Sequence, residues 1–347
     1  MRRHAPALVG SLVVLVVLFV TLAPLSAQAP AGAARHHLSQ GFRNLDANYA
    51  YPLGERASRL LRRTFSGWPP RGKAPAVLAN DGAELRANGK TPTVTWVGHS
   101  TFLIQLDGVN ILTDPHWGNR ASPVSFAGPR RLVAPGLQFE SLPPIDAVVI
   151  SHDHYDHLDA DTVRRLARAH NPTFFVPLGV GALIRDMGGQ NVVELDWWES
   201  KRFHGLELVC TPAQHSSGRG LNDQNLRLWS SWTILGAKKR LFFAGDTGYW
   251  RGLKEIGQRY PHLDLALLPI GGYSSWDKGH PNHLNPEEAV KVFEELGAKL
   301  MVPMHWGTFE LNREPFNEPP DRLFAEAVRR GVEDRVAPLS PGETIDW

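Results

Sequence analysis

From about Thr91 onward, the chain consists of short apolar runs separated by turn-forming residues. The first three runs predict consecutive β-strands at residues 93–97, 101–106 and 109–113. Asp107-Gly108 predicts the hairpin turn between the second and the third of these strands. The hydrophobic pattern therefore predicts a main domain that begins with β-structure.

Later apolar runs predict more strands and two well-marked helices. Residues 147–150 include no polar residue and predict a buried strand. Other strands are predicted at residues 206–211, 231–235, 240–244, 265–270 and 300–303. The amphipathic pattern of residues 161–169 predicts a helix. Asn285 and Pro286 predict the start of a second helix, and Gly297 predicts its end. Strands with interspersed helices predict a layered α/β or α+β sandwich.

The first 29 residues have the layout of an export signal. Arg2 and Arg3 precede an apolar run at residues 7–25, which ends in the small residues around Ala27 and Ala29. This order is typical of a cleaved secretory signal peptide. The run has about 19 residues, close to the length of a bilayer span, so an uncleaved membrane anchor is an alternative and a cytosolic protein a third. Both exported alternatives place the remaining chain in the periplasm or another extracytoplasmic compartment.

Residues 30–90 are predicted to form an N-terminal extension before a main domain at residues 91–347. The extension is polar and irregular, with one helical stretch predicted at residues 55–65. Between Arg35 and Lys73 there are eight Arg or Lys residues but only two acidic residues, Asp46 and Glu55. Two interpretations stay open. The extension either wraps over the main domain or makes peripheral contact with an anionic membrane surface, where each basic residue adds about 1 kcal/mol.

The composition limits which molecules and metal ligands are expected for this protein. The chain has 347 residues, of which 42% are hydrophobic and 21% charged, as in ordinary globular proteins. A formal net charge of +2 gives no broad electrostatic surface for nucleic acid. The single cysteine, Cys210, excludes an internal disulfide and a cysteine-based zinc site. The chain is therefore not predicted to bind nucleic acid, and any metal site must use other ligands.

A cluster of metal-binding residue types directly follows the buried strand at residues 147–150. It comprises His152, His154, Asp156 and His157, within six residues. Imidazole and carboxylate are ligands that zinc prefers, and four of them on one tight turn can serve two ions. Asp153 lies between the ligands and is expected to accept hydrogen bonds without binding metal. The cluster therefore predicts a pair of metal ions, which could be zinc or another divalent metal such as iron or manganese.

Three further residues follow apolar strands in the same way: His215, Asp246 and His305. Strand ends are rigid, so they can hold ligands as closely as a metal site requires. We predict one ion bound by His152, His154 and His215, a second ion bound by Asp156, His157 and His305, and Asp246 as a bridge between the two. Two divalent ions lower the pKa of a shared water, so the arrangement predicts hydrolysis through a metal-bridging hydroxide.

These residues and the segments around them resemble the metallo-β-lactamase-fold hydrolases, and most closely the N-acylphosphatidylethanolamine-hydrolysing phospholipase D enzymes. The flanking segments that carry the resemblance are residues 96–101, 112–115, 120–123, 142–148, 194–198 and 305–309. The resemblance implies an αββα sandwich with two zinc ions at one sheet edge. It also implies cleavage of N-acylphosphatidylethanolamine, or a related lipid, to N-acylethanolamine and phosphatidic acid.

The resemblance adds His283 to the predicted catalytic residues Asp156 and Asp246. In the phospholipase D branch, a histidine before a Pro-Glu-Glu-Ala helix contributes to the active site, and His283 matches that place. It is expected to orient or protonate a leaving group. A structural role in a capping loop is the alternative interpretation.

The substrate stays open between a phospholipid and a small molecule. The loops at residues 123–126 and 272–281 are expected to be specific to this chain, and such loops often define a pocket. A metal-dependent lactonase acting on a sugar phosphate or small ester would use the same ions. A non-catalytic metal-binding protein is the alternative from another functional class. An apolar groove beside the metals would favour the lipid, and a small basic pocket would favour the lactone.

Several other polar residues receive weaker predictions. His99 and His116 lie near the predicted site but outside the metal spacing, so both are expected to have structural or outer-sphere roles. Asp114 follows a strand and is expected either to orient a ligand histidine or to cap a turn. His36 and His37 have no companion residues in the sequence and are predicted to lie on the surface.

Overall fold

Two mixed β-sheets face each other across a shared hydrophobic core. The computed structural model describes residues 34–46, 72–220, 222–273, 281–311 and 314–347. The strands of the first sheet are β1 (Thr93–Gly98), β2 (Thr101–Leu106), β3 (Val109–Thr113), β4 (Ala147–Val149), β5 (Thr173–Pro177), β6 (Asn191–Leu195) and β13 (Thr344–Asp346). Their order is β13-β1-β2-β3-β4-β5-β6. Strands β13 to β3 pair antiparallel and strands β3 to β6 pair parallel.

The second sheet has the same division into antiparallel and parallel parts. Its strands are β7 (Ser200–Phe203), β8 (Leu206–Thr211), β9 (Ser231–Leu235), β10 (Arg240–Phe243), β11 (Leu265–Pro269) and β12 (Leu300–Met304). They lie in the order β12-β11-β10-β9-β8-β7. Strands β7 to β10 pair antiparallel, and strands β10 to β12 pair parallel.

Helices cover the outer faces of both sheets. They are α1 (Ala83–Ala87), α2 (Ala160–Ala169), α3 (Gly181–Asp186), α4 (Gly252–Arg259), α5 (Pro286–Leu296) and α6 (Glu318–Arg330). Leu166 of α2 and Ile184 of α3 pack into the core on the outer side of the first sheet. Ile256 of α4 and Phe293 of α5 belong to the core of the second sheet. The architecture is the αββα sandwich that the family resemblance implied.

Both predicted helices are present, and each begins directly after a capping residue. Asp159 accepts a hydrogen bond from the backbone N–H of Thr162 and so caps α2. The Asn285 side chain accepts from the backbone N–H of Glu288, and the Glu288 carboxylate accepts from the backbone N–H of Asn285, so both ends of the capping box are closed. Gly297 ends α5 in the left-handed conformation, with φ 65°.

The predicted targeting segment cannot be compared with the fold, because residues 1–29 and 55–65 lie outside the described residues. The export signal, the anchor and the helical stretch therefore stay predictions, and so does the boundary between extension and main domain. Within the described part of the chain, no helix is long and apolar enough to cross a membrane.

Candidate metal centre

All eight residues predicted for the site come together at one edge of the sandwich. The loops that carry them follow strands β4, β8, β10 and β12, except for His283, which comes just before α5. Strands β8, β10 and β12 run in the same direction in the second sheet, so their carboxyl ends meet at the same edge. The topology therefore brings together residues that are up to 153 positions apart in the chain, from His152 to His305.

Three histidines form one half of the site, which we call the three-histidine cluster: His152, His154 and His215. The Nδ1 atom of His154 lies 2.9 Å from Nε2 of His152 and 3.2 Å from Nε2 of His215. The other ring nitrogen of His215, Nδ1, donates to the backbone carbonyl of Asn282 at 3.0 Å. This hydrogen bond leaves the lone pair of Nε2 directed toward the centre of the cluster.

The other half, the carboxylate cluster, consists of Asp156, His157, Asp246 and His305. Its central atom is Oδ2 of Asp246, which lies 3.2 Å from Nε2 of His157 and 3.2 Å from Nε2 of His305. The same oxygen lies 4.0 Å from Nε2 of His152 and 3.7 Å from Nε2 of His215. Asp246 thus stands between the two clusters, where the sequence analysis placed a bridging carboxylate.

The two clusters differ in their electrostatics. Burial lowers the pKa of all three histidines in the three-histidine cluster, that of His215 to about 3, so these rings are neutral. Burial would also lower the pKa of His157 and His305, but the carboxylate of Asp246 outweighs it and raises that of His305 to about 9. Positive charge on His157 in turn holds the pKa values of Asp156 and Asp246 well below their usual range, against the effect of burial. The two carboxylates of this cluster therefore stabilise positive charge on its histidines.

Buried polar atoms in the carboxylate cluster indicate a site for a metal ion. Nε2 of His157, Nε2 of His305 and Oδ1 of Asp246 are buried and have no hydrogen-bond partner among the residues that the structure describes. A buried polar atom without a partner costs about 1–3 kcal/mol. Coordination of a metal ion would satisfy these atoms, and imidazole with carboxylate is a donor set suited to divalent transition metals. The residues present therefore fit a metal centre.

Asp114 orients one of the histidines from outside the two clusters. Its Oδ2 atom accepts from Nδ1 of His157 at 2.7 Å, and its Oδ1 atom accepts from the backbone N–H of Ser151 at 2.7 Å. The hydroxyl of Ser151 also donates to Asp114 and accepts from Nδ1 of His152 at 2.9 Å. These bonds leave Nε2 of both histidines directed into the site. Of the two roles predicted for Asp114, the geometry supports ligand orientation.

His99 contacts the carboxylate cluster more closely than its sequence position suggested. Its Nε2 atom lies 3.1 Å from Oδ2 of Asp156, and its ring centroid lies 4.2 Å from that of His305. Its backbone carbonyl accepts from the N–H of His305, and its own N–H donates to the hydroxyl of Thr308. His99 is therefore a direct neighbour of the predicted ligands. His116 lies farther out, where it contacts Arg131.

His283 lies beside Asp246, and its side chain is among the most exposed of the predicted site residues. The Nδ1 atom of His283 lies 3.7 Å from Oδ2 of Asp246, and its ring stacks on that of His305 with 5.2 Å between centroids. Its side chain is 15% exposed, whereas that of Asp246 is 2% exposed. His283 is thus placed where a substrate could reach it from solvent.

The prediction that His36 and His37 lie on the surface was wrong for His36. His36 is 5% exposed, and its Nε2 atom lies 2.6 Å from Oδ1 of Asp196. Nε2 of His37 lies 2.7 Å from the other oxygen of the same carboxylate. The sequence analysis also missed Asn44, which contacts His215 across 171 positions of the chain. Local sequence patterns hold no signal for contacts of that range.

Comparisons with known proteins agree with this geometry. The beta-lactamase superfamily domain matches residues 109–306, which include all eight predicted site residues. An uncharacterized protein of Mycobacterium tuberculosis is 43% identical over 318 residues, 88% of this chain and 82% of that protein. The N-acyl-phosphatidylethanolamine-hydrolyzing phospholipase D 1 of Caenorhabditis elegans is 45% identical over 242 residues, 66% of this chain and 68% of that enzyme.

A solved structure shows the same architecture. The metallo hydrolase of the archaeon Ignicoccus hospitalis superposes with a TM-score of 0.56 at 26% sequence identity, and the match covers 74% of this chain and 99% of that one. Together with the sequence relatives, this fold places the clustered histidines and carboxylates among the metal-dependent hydrolases of the superfamily. The chain belongs to the β-lactamase superfamily, as a metal-dependent hydrolase with the metallo-β-lactamase fold.

Proposed function

We propose that this hydrolase is a phosphodiesterase of the phospholipase D type. Its substrate would be N-acylphosphatidylethanolamine or a related lipid. The observation that carries the proposal is the 45% identity to the nematode enzyme of that name over 242 residues, 66% of this chain. The geometry adds support, because Asp246 joins two groups of ligands that are each suited to one ion.

We further propose two zinc ions as the cofactor. One would be held by His152, His154 and His215, and the other by Asp156, His157 and His305, with Asp246 shared between them. When bound, two such ions lower the pKa of a water molecule and stabilise negative charge on a phosphoryl group. The chain itself supplies the rigid strand ends, the fixed histidine tautomers and the water-excluding core around them.

The proposed reaction assigns a proton transfer to His283. Water attacks phosphorus, and the bond between phosphorus and the ethanolamine oxygen breaks. One proton of the water ends on that oxygen, which gives N-acylethanolamine, while the hydroxyl stays on phosphorus and gives phosphatidic acid. The imidazole of His283 is the partly exposed group beside Asp246, so we assign to it the delivery of this proton to the leaving oxygen.

We also propose peripheral contact with a membrane surface through the loop at residues 122–128. Phe126 is 81% exposed and Val124 is also exposed, in the loop that the sequence analysis expected to be specific to this chain. Arg120 donates to two backbone carbonyls and holds the loop closed. Arg131, which follows the loop, packs on Phe309. Because the ring of Phe309 contacts that of His99, the loop lies near the candidate centre.

The experiment that tests the function is product analysis after incubation with N-acylphosphatidylethanolamine. We expect the zinc-loaded protein to release N-acylethanolamine and phosphatidic acid in equal amounts, and a chelator to abolish the release. Asp246→Ala should lose zinc and activity, whereas Asp161→Ala, which changes an exposed acid on α2, should keep both. A zinc-loaded protein that releases neither product would overturn the lipid assignment and favour a lactone or a small phosphodiester.

A further inference from the structure

Residues 34–46, which we call the N-terminal strap, lie across the loops that follow β6 and β8. The backbone N–H of Phe42 donates to the carbonyl of Asn225 at 2.8 Å, and the side chains of Phe42 and Leu45 pack against the main core. The strap lies outside the matched superfamily domain, which begins at residue 109. It is nevertheless joined to that domain by the contacts described next.

Two histidines anchor the beginning of the strap. Nε2 of His36 and Nε2 of His37 each contact a different oxygen of Asp196, at 2.6 and 2.7 Å. The ring of His36 also stacks on Trp197, with 4.2 Å between centroids. Both distances are those of direct hydrogen bonds. They are shorter than every nitrogen–oxygen distance to Asp246 in the candidate centre, the shortest of which is 3.2 Å. We therefore interpret this group as an anchor for the strap rather than as a further cation site.

The end of the strap holds the backbone of a predicted metal ligand. The side-chain amide of Asn44 donates from Nδ2 to the carbonyl of His215 at 2.7 Å, and its Oδ1 atom accepts from the N–H of His215 at 3.1 Å. A single side chain thus satisfies both peptide groups of His215, as a neighbouring strand would. The ring of His215 is oriented separately, through the carbonyl of Asn282.

We propose that Asn44 is a positioning residue for His215, and that the strap is therefore part of the metal centre. The inference rests on the proposed function in so far as His215 binds metal. His215 lies four residues beyond the end of β8, so the strand alone does not fix its position. The two hydrogen bonds from Asn44 constrain the backbone of His215 directly. Loss of an outer contact of this kind typically costs 10–100-fold in metal affinity or activity.

The test compares three full-length variants with the wild-type protein. Asn44→Ala removes both hydrogen bonds to His215. His36→Ala combined with His37→Ala loosens the anchor and leaves Asn44 in place. Arg43→Ala is the control, because the Arg43 side chain is exposed and donates to the carbonyl of Arg35 within the strap. The measurements are the zinc dissociation constants by competition with a chromophoric chelator, kcat and KM, and the melting temperature.

For Asn44→Ala we expect the dissociation constant of one zinc ion to rise roughly 10-fold or more and kcat to fall by a similar factor, with KM within about 2-fold. The anchor variant should change in the same direction by less, and Arg43→Ala should behave as wild type. Hydrogen exchange of the metal-free protein should show faster exchange at the His215 amide in Asn44→Ala.

Wild-type zinc affinity and kcat in folded Asn44→Ala would overturn the proposal, even if its melting temperature fell, because a purely structural strap would give that pattern. If Asn44→Ala does not fold, the zinc affinity and kcat of the His36→Ala, His37→Ala double variant decide the proposal. Should the wild-type protein fail to cleave the lipid, the proposed substrate is wrong. The zinc affinities of the variants still decide the role of Asn44.

Discussion

Three residues at the candidate centre have backbone conformations that side chains other than glycine rarely adopt. The φ angles of His99, Asp114 and His305 are 54°, 33° and 61°. The left-handed conformation raises the free energy of each such residue by roughly 1–2 kcal/mol relative to the usual helical or extended conformations. The cost is offset by hydrogen bonds, such as that from the N–H of His305 to the carbonyl of His99. The strained backbone therefore occurs at the predicted ligand His305 and at two residues that contact predicted ligands, His99 and Asp114.

At the scale of one residue, Asp114→Ala is predicted to weaken metal binding without unfolding the protein. The substitution removes the acceptor for Nδ1 of His157 and for the backbone N–H of Ser151, so the His157 tautomer is no longer fixed. We expect metal affinity and kcat to fall roughly 10–100-fold. Metal content by mass spectrometry and steady-state kinetics would measure this. Metal content and turnover equal to wild type in Asp114→Ala would contradict the role assigned to Asp114.

At the scale of secondary structure elements, the centre depends on where each strand or helix stops and starts. His305 comes directly after β12, and Asp246 comes three residues after β10. His283 instead depends on the start of α5, because only Leu284, which is fully buried, separates it from the capping residue Asn285. The position of His283 is thus tied to the N-terminal cap of a helix.

The capping box of α5 gives a prediction for stability. Asn285→Ala removes the acceptor for the N–H of Glu288 and should lower the free energy of unfolding by about 1 kcal/mol. Asn285→Asp keeps a side-chain acceptor at this place and should retain most of the stability. Urea denaturation of both variants measures the difference. Equal stability of the alanine and aspartate variants would show that the cap contributes nothing.

At the scale of the whole molecule, the buried parts of the fold were more predictable from the sequence than its edges. The nine predicted strands are all present, because each carries an apolar run. Edge strands β6, β7 and β13 were missed, since they are partly exposed and lack such a run. β5 was missed although its buried residues include Phe174 and Phe175. The clustering of the candidate ligands was predictable because they follow buried strands, whereas the position of Asn44 depends on a long-range contact.

The proposed membrane contact gives a prediction at the scale of the whole molecule. Phe126→Ser is predicted to reduce binding to vesicles of anionic phospholipid, because burial of a phenylalanine side chain contributes about 1.5–3 kcal/mol. Such a loss corresponds to roughly a tenfold or larger decrease in partitioning. Phe324→Ser on α6 is the matched control, since Phe324 is also exposed, at 57%, but lies on a different element. Vesicle sedimentation measures both. Vesicle binding by Phe126→Ser equal to that of the wild-type protein would refute the proposed contact.

Cys210 makes the protein convenient for spectroscopy. It is the only cysteine in the sequence, it is fully buried in β8, and burial raises the pKa of its thiol. A thiol that is both inaccessible and protonated does not react with maleimides in the folded state. A fluorophore or spin label could therefore be attached to Ser125→Cys, in the exposed loop beside Phe126, while Cys210 is left in place. The label would report directly on the environment of that loop, in water or at a lipid surface.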